Sequence, residues 1–369
     1  MDRSIYFYSD SVELGGAELA LLMLIEELRE RWSVTLLVDD LPTAEPLRER
    51  TEALGVEVRG VEPMPLGLGG TRGAARLSRR LRRERPALFH AHLSWPLAAK
   101  WATAAAVLAR LPTVATVHLI PEFRLDRSSY LQLRALARGV DRYIAVSQAL
   151  ADELAGRFHW PREKIEVVYN AVQTERFGCV APERLHAELA GSERRPIVFT
   201  CARLDAQKGL EILLRAATAL PEAVFAIAGD GPLGPSLERL AEELGVADRV
   251  RFLGFRRDVP QLMAAADVFA LPSLFEGSPL AVLEAMAAGR AVVSSAIGGT
   301  NEVVVDEESG LLVPPGDAEA LAAALRRLLG DRPLRESLAE NARSRVEERF
   351  TPAAMVHRVE QIYEQLLAR

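Results

Sequence analysis

Residues 270–305, ALPSLFEGSPLAVLEAMAAGRAVVSSAIGGTNEVVV, read as strand, loop, helix, strand, glycine-rich loop and helix start. Val268 to Leu271 is a short apolar run closed by Pro272 and Ser273, the pattern of a buried parallel strand. Pro279 stands where a first helical turn needs no N–H. Leu280, Val282, Leu283 and Met286 follow, and Gly289 ends the helix. Ala291-Val292-Val293 is the next buried strand, and Gly298-Gly299 turns the chain into another helix start. Glu276 and Glu284 therefore share one strand-to-helix junction, with the amides of Gly277, Ser278 and Leu280 between them. Carboxylates accept from pairs of sugar hydroxyls, and amides at a helix start attract negative oxygens, so the junction suits a phosphorylated, polyhydroxylated ligand. Either glutamate alone reads as an ordinary helix charge. Glu284 resists that reading, because its neighbours Leu283, Ala285 and Met286 are apolar.

The same alternation runs outward from this stretch. After it come a short strand at 310–313 and helices at 318–329, 333–350 and 352–368. Before it, strands at 196–201, 223–228 and 250–253 alternate with helices at 210–220, 235–244 and 259–265. An earlier series begins at residue 4 and closes at Asn170, with strands near 34–38, 57–59, 88–92, 114–118, 142–146 and 165–169. Strands alternating with helices imply parallel sheets joined by right-handed crossovers. The division expected is an N-terminal domain over 1–171, a polar linker over 172–195 and a second domain over 196–351.

Size and composition fit that division. The chain has 369 residues, 49% of them apolar and 26% charged, as in soluble globular proteins. A net charge of −6 argues against a general nucleic-acid binder. Cys179 and Cys201 make neither a disulfide framework nor a metal cluster, and read as small buried hydrophobes in a reducing cytosol. The opening MDRSIYFYSD is a strand rather than a signal peptide, and the apolar window 95–117 is interrupted by Lys100, Arg110 and Pro112. The expectation is a soluble cytoplasmic protein.

Three features of the first half bear on function. Gly15-Gly16-Ala17-Glu18 follows the first strand and opens a long amphipathic helix, so a phosphate can approach its N-terminus, although the third glycine of a dinucleotide fingerprint is missing. His118 ends a strand on the side where open parallel sheets bind ligands. Seven arginines between Arg72 and Arg85, with Leu77 and Leu81 at helical spacing, make a basic amphipathic helix. Its plain reading is a solvated face; its functional reading is docking on a polyanionic acceptor or on an anionic membrane, at the inner face of the cell membrane.

Taken in order, the motifs resemble glycosyltransferase family 4, retaining enzymes of the GT-B fold. They are Gly15-Gly16-Ala17-Glu18, Arg203-x4-Lys208-Gly209, Ala228-Gly229-Asp230-Gly231-Pro232, Phe252-Leu253-Gly254, Glu276-x7-Glu284, Gly298-Gly299-x-x-Glu302 and Gly310-Leu311-Leu312-Val313. The resemblance implies an α/β architecture of two facing Rossmann-like domains with a deep cleft between them, the C-terminal helix crossing back to the first domain. It further implies transfer of a hexosyl unit from a UDP- or GDP-sugar to an acceptor hydroxyl, with retention and without a metal or other cofactor. Arg203 and Lys208 would contact the donor pyrophosphate, Glu276 the sugar hydroxyls, Glu284 the ribose, Gly16 the phosphates and His118 the reaction centre. Glu302 would orient its loop. The acceptor implied is a carbohydrate or a lipid-linked intermediate of envelope polysaccharide, lipopolysaccharide or glycolipid synthesis.

Two departures from the family pattern stand out. Thr300-Asn301 replaces an apolar residue and proline in the Gly-Gly loop, and Leu119-Ile120-Pro121 follows His118 where a polar residue is usual. The second points to a more apolar acceptor. Competing readings are a soluble small-molecule acceptor, a sugar-nucleotide epimerase of the same fold, a non-catalytic sugar-nucleotide-binding subunit and a nicotinamide-dependent dehydrogenase. Asp39 and Asp40 would suit the dehydrogenase, but its glycine fingerprint is absent.

Overall fold

The computed structural model describes residues 3–10, 14–120, 126–178, 183–191 and 195–368. Chain contacts divide it into two units. One comprises Met1–Asn170 with Pro352–Arg369, the other Ala171–Thr351.

In the first unit the strands are β1 (Ser4–Ser9), β2 (Ser33–Asp39), β3 (Glu57–Val61), β4 (Leu88–Leu93), β5 (Thr113–Val117), β6 (Arg142–Ala145) and β7 (Ile165–Val167). They form one sheet in the order β3-β2-β1-β4-β5-β6-β7, parallel throughout. Helices α1 (Gly16–Leu28), α2 (Glu45–Ala53), α3 (Gly70–Glu84), α4 (Lys100–Ala109), α5 (Arg127–Gly139) and α6 (Gln148–Gly156) make the crossovers. Strands β1, β4 and β5 are buried along almost their whole length, which is why they read as continuous apolar runs rather than alternating ones. Ser147 caps α6, accepting from the Leu150 N–H at 3.2 Å.

The second unit opens with α7 (Glu183–Ala190), then β8 (Ile197–Cys201), α8 (Leu210–Ala217), β9 (Val224–Ala228), α9 (Gly234–Glu243), β10 (Val250–Phe252), α10 (Val259–Ala265) and β11 (Val268–Leu271). It continues with α11 (Leu280–Ala287), β12 (Ala291–Ser295), α12 (Gly298–Val303), β13 (Leu311–Val313), α13 (Ala318–Gly330) and α14 (Arg332–Arg349). Its sheet is also parallel, in the order β10-β9-β8-β11-β12-β13.

The segment read as a polar linker is corrected by α7. Leu185 and Leu189 are buried, and α7 packs on α10 and β9 of the second unit. An eight-residue helix with so few apolar positions is easily read as irregular chain. Cys179 lies outside the described residues. Cys201 is half-buried rather than a core residue.

The last helix, α15 (Pro352–Leu367), returns to the first unit and packs on α1. Trp32 Nε1 donates to Glu360 Oε1 at 2.8 Å, Arg31 pairs with Glu360 at 2.6 Å, and the Tyr363 ring meets Trp32 edge-on. Among the described residues, no helix is long and apolar enough to cross a membrane. The arginine-rich α3 buries its apolar face: Ala74, Leu77 and Leu81 lie in the core, and Gly70 and Gly73 let the helix press on Trp101 and Met64. Arg72, Arg76, Arg79, Arg82 and Arg83 are left exposed.

Candidate active site

Each sheet has one place where neighbouring crossovers depart in opposite directions, between β1 and β4 in the first unit and between β8 and β11 in the second. Loops diverge there at the carboxyl ends of the strands, leaving a crevice into which helix N-termini point. The sequence-derived site residues fall at these two points, except His118, which follows β5 one strand beyond β4. Gly15 and Gly16 follow β1, Arg203 and Lys208 follow β8, and Glu276 to Glu284 follow β11.

In the second unit, Lys208 Nζ sits 2.6 Å from Glu276 Oε1, with side chains 20% and 7% exposed. A carboxylate so enclosed needs further donors, and has them. Ser273 Oγ donates to Oε1 at 2.8 Å, and Gln207 Nε2 reaches Oε2 at 3.3 Å while also donating to the Phe275 carbonyl. Gln207 and Ser273 were not identified from the sequence. Their signal is spacing: each lies within three residues of a recognised site residue along its own loop. Arg203 is more open, 53% exposed, and lies 3.8 Å from Asp205.

Glu284 projects from α11 into a different environment. Burial pushes its carboxyl up to about 7, and the positive charge of Arg176 pulls the other way. The Cys201 thiol at the end of β8 is pushed up to about 12, by burial first and then by Glu284. Arg176 was not anticipated. Pro279 leaves the Leu280 and Ala281 amides at the start of α11 without intrahelical acceptors, as a first turn must.

Close backbone contacts hold these loops together. A Cβ on Gly299 would stand 1.9 Å from the Gly277 carbonyl oxygen, so the Gly298-Gly299 turn lies directly against the loop carrying Glu276. Gly209, in the left-handed region at φ 61°, similarly abuts the Pro272 carbonyl. Arg345 donates to the Glu302 and Val303 carbonyls and ties off the end of α12. The Thr300 hydroxyl is buried with no hydrogen-bond partner among the described residues.

In the first unit, Glu18 Oε2 accepts the Gly15 N–H at 2.9 Å. That occupies the Gly15 amide and leaves Gly16, exposed at the first position of α1, as the amide open to an anion. His118 follows β5, its N–H donating to the Leu93 carbonyl at 3.0 Å. Its Nε2 lies 3.1 Å from His92 Nδ1. Burial lowers His118 to about 4 and His90 to about 3, so both imidazoles are neutral near pH 7. His92 escaped sequence reasoning, although its alternation with His90 marks one sheet face.

Two parallel-sheet units, each with polar and glycine-bearing loops at its switch point, define the GT-B class. Residues 14–176 match the family model described as Glycosyltransferase Family 4, and residues 182–345 match Glycosyl transferases group 1. The chain belongs to this glycosyltransferase family. It is 32% identical to an alpha-D-kanosaminyltransferase of Streptomyces kanamyceticus, over 72% of this chain and 73% of that one. It is 33% identical to the lipopolysaccharide core biosynthesis glycosyltransferase LpsE of Rhizobium meliloti, over 67% and 70%. With an uncharacterized glycosyltransferase of Methanocaldococcus jannaschii it shares 34% identity, and the chain spans only 56% of that relative's length. Among solved structures, Anabaena HepE in complex with UDP and glucose superposes with a TM-score of 0.87 at 26% identity, over 98% of this chain and 100% of that one.

Proposed function

We propose that the protein is a retaining glycosyltransferase that moves a hexosyl unit from a UDP- or GDP-sugar to an acceptor hydroxyl without a metal ion. The observation that carries this reading is the Lys208–Glu276 pair, braced by Gln207 and Ser273 at the switch point of the second sheet, with Glu284 following on α11. Lys208 and Arg203 neutralise charge on the pyrophosphate as it departs, the task a metal performs elsewhere. Glu276 accepts from donor-sugar hydroxyls, with the amides of Gly277, Ser278 and Leu280 beside it. Glu284, half-protonated near pH 7, holds the ribose hydroxyls. Gly16 offers its amide to phosphate, and His118 hydrogen-bonds at the reacting sugar.

In the step proposed, the bond from the anomeric carbon to the leaving phosphate breaks and the acceptor oxygen bonds to the same face. The acceptor proton passes to a leaving phosphate oxygen, so no protein base is required. The acceptor proposed is a carbohydrate or lipid-linked intermediate of envelope polysaccharide synthesis. Support comes from the exposed arginines of α3, which suit an anionic membrane surface, and from similarity to LpsE.

The test is thermal stabilisation by UDP-, GDP-, ADP- and dTDP-sugars in the presence of chelator, followed by nucleoside-diphosphate release. A donor at about a hundred times its dissociation constant raises stability by about 2.7 kcal/mol. One responding donor, silent with Glu284→Ala, supports the reading; stabilisation by nicotinamide cofactors alone overturns it.

A further inference from the structure

Three histidines stack across the face of the first sheet. His90 and His92 lie on β4 with ring centroids 4.7 Å apart, and the His118 ring lies 5.3 Å from that of His92. All three are at most 8% exposed. His90 is fully engaged, with Nδ1 2.6 Å from the Tyr363 hydroxyl and Nε2 2.8 Å from Thr116 Oγ1. His92 is not. Its Nδ1 meets His118 Nε2 at 3.1 Å, while its Nε2 is buried with no hydrogen-bond partner among the described residues.

Between two neutral imidazoles that contact carries one proton, and there are two ways to place it. If His118 Nε2 donates, the proton of His92 must sit on Nε2, where a buried N–H finds no acceptor. If His92 Nδ1 donates, the buried His92 Nε2 is a bare ring nitrogen and no donor is stranded. Buried donors without acceptors are the rarer and costlier defect. The second arrangement follows, and it sets the far side of the second ring: with Nε2 accepting, His118 must carry its proton on Nδ1.

We infer that His92 is a positioning residue that fixes His118 as the Nδ1–H tautomer, so that His118 meets its ligand as a hydrogen-bond donor and not as a base. The stack holds the arrangement, because Phe7 and His90 pack against the His92 ring. The consequence for turnover rests on the glycosyl-transfer reading above; the tautomer does not. A donor at this place suits a sugar or acceptor oxygen. It also agrees with a step in which the leaving phosphate, rather than the protein, takes the acceptor proton.

The test begins without any substrate. In protein labelled with 15N-histidine, long-range proton–nitrogen correlation at pH 7.5 reads which nitrogen of each ring is protonated, and the signals lost in His118→Gln identify His118. The expected result is protonated Nδ1 and bare Nε2. His92→Phe keeps a buried ring but removes the donor that His118 Nε2 accepts from, so the His118 signals should lose the single Nδ1–H pattern and average between the two tautomers. His92→Asn places an amide N–H near the Nδ1 position and should restore the Nδ1–H pattern. With whichever nucleotide sugar the parent protein turns over, His92→Phe should lower kcat about tenfold, the worth of roughly one neutral hydrogen bond, at unchanged KM, and His92→Asn should recover it. An Nε2–H pattern in the parent protein overturns the inference, as does a His118 tautomer indifferent to His92→Phe. Absence of turnover with the tautomer as expected counts against the glycosyl-transfer reading alone.

Discussion

Glu284 is ionised at a cost that its surroundings set. Its folded value of about 7 lies above the ordinary 4.5, with burial as the main cause. A group raised in this way contributes its stability in full below the unfolded value and loses it as pH rises through the folded one. Glu284→Gln should therefore match the parent protein in thermal stability near pH 4, below the unfolded value. It should exceed it above pH 7 by on the order of 1 kcal/mol. The same variant should lose stabilisation by the donor, since an amide accepts less well than a carboxylate. Urea titrations at pH 4 and pH 8 read the first effect, and a higher stability of the parent protein at pH 8 would refute it. This residue was legible in the sequence as a lone charge in an apolar helix. Its protonation was not, because that depends on burial by the surrounding fold and on Arg176, which arrives from another part of the chain.

Elements were legible in proportion to how strongly burial wrote itself into their composition. The central strands β8, β9, β11 and β12 are covered on both faces and stand out as apolar runs. Helix α7 did not stand out, and neither did α2 or α5, whose exposed faces dominate their composition. The role of α3 was half legible. Its basic character is plain, but an amphipathic pattern cannot say whether the apolar side meets lipid or protein, and here it meets the core. That leaves electrostatics as the only means by which α3 can hold a membrane, without insertion. Replacing Arg72, Arg79 and Arg83 with glutamine should weaken cosedimentation with phosphatidylglycerol vesicles, at roughly 1 kcal/mol per arginine and more so at low salt. Arg82 donates to the Leu108 carbonyl at 2.7 Å and Arg80 pairs with Glu84 at 3.1 Å, whereas Arg83 meets Glu84 only at 3.4 Å and keeps its side chain 79% exposed. If the parent protein stays in the supernatant while such vesicles sediment, the membrane contact is excluded.

For the whole molecule, acid should act first on the first unit. His90 and His118 have folded values of about 3 and about 4 against an ordinary 6.5, because burial disfavours their charged forms. Their stabilising contribution is complete above 6.5 and is lost as pH falls toward the folded values, since the unfolded chain takes up these protons earlier. Between pH 6 and pH 4, each should remove roughly 1.4 kcal/mol of stability per pH unit. Hydrogen exchange followed across that range should report opening around β4 and β5 before β8 and β11; the reverse order would refute it. The stack behind this prediction is anchored by Tyr363, a residue 245 positions beyond His118 in the numbering and contributed by α15. A ribosome thus begins the first unit long before it can supply the helix that closes it. The second unit, continuous from Ala171 to Thr351, has its whole sequence synthesised before Pro352 appears. Domains generally fold as units as they emerge, N-terminal ones first. In this chain the order of completion is inverted. The half that is made first must wait, with α1 and the edge of Trp32 uncovered, until α15 is made.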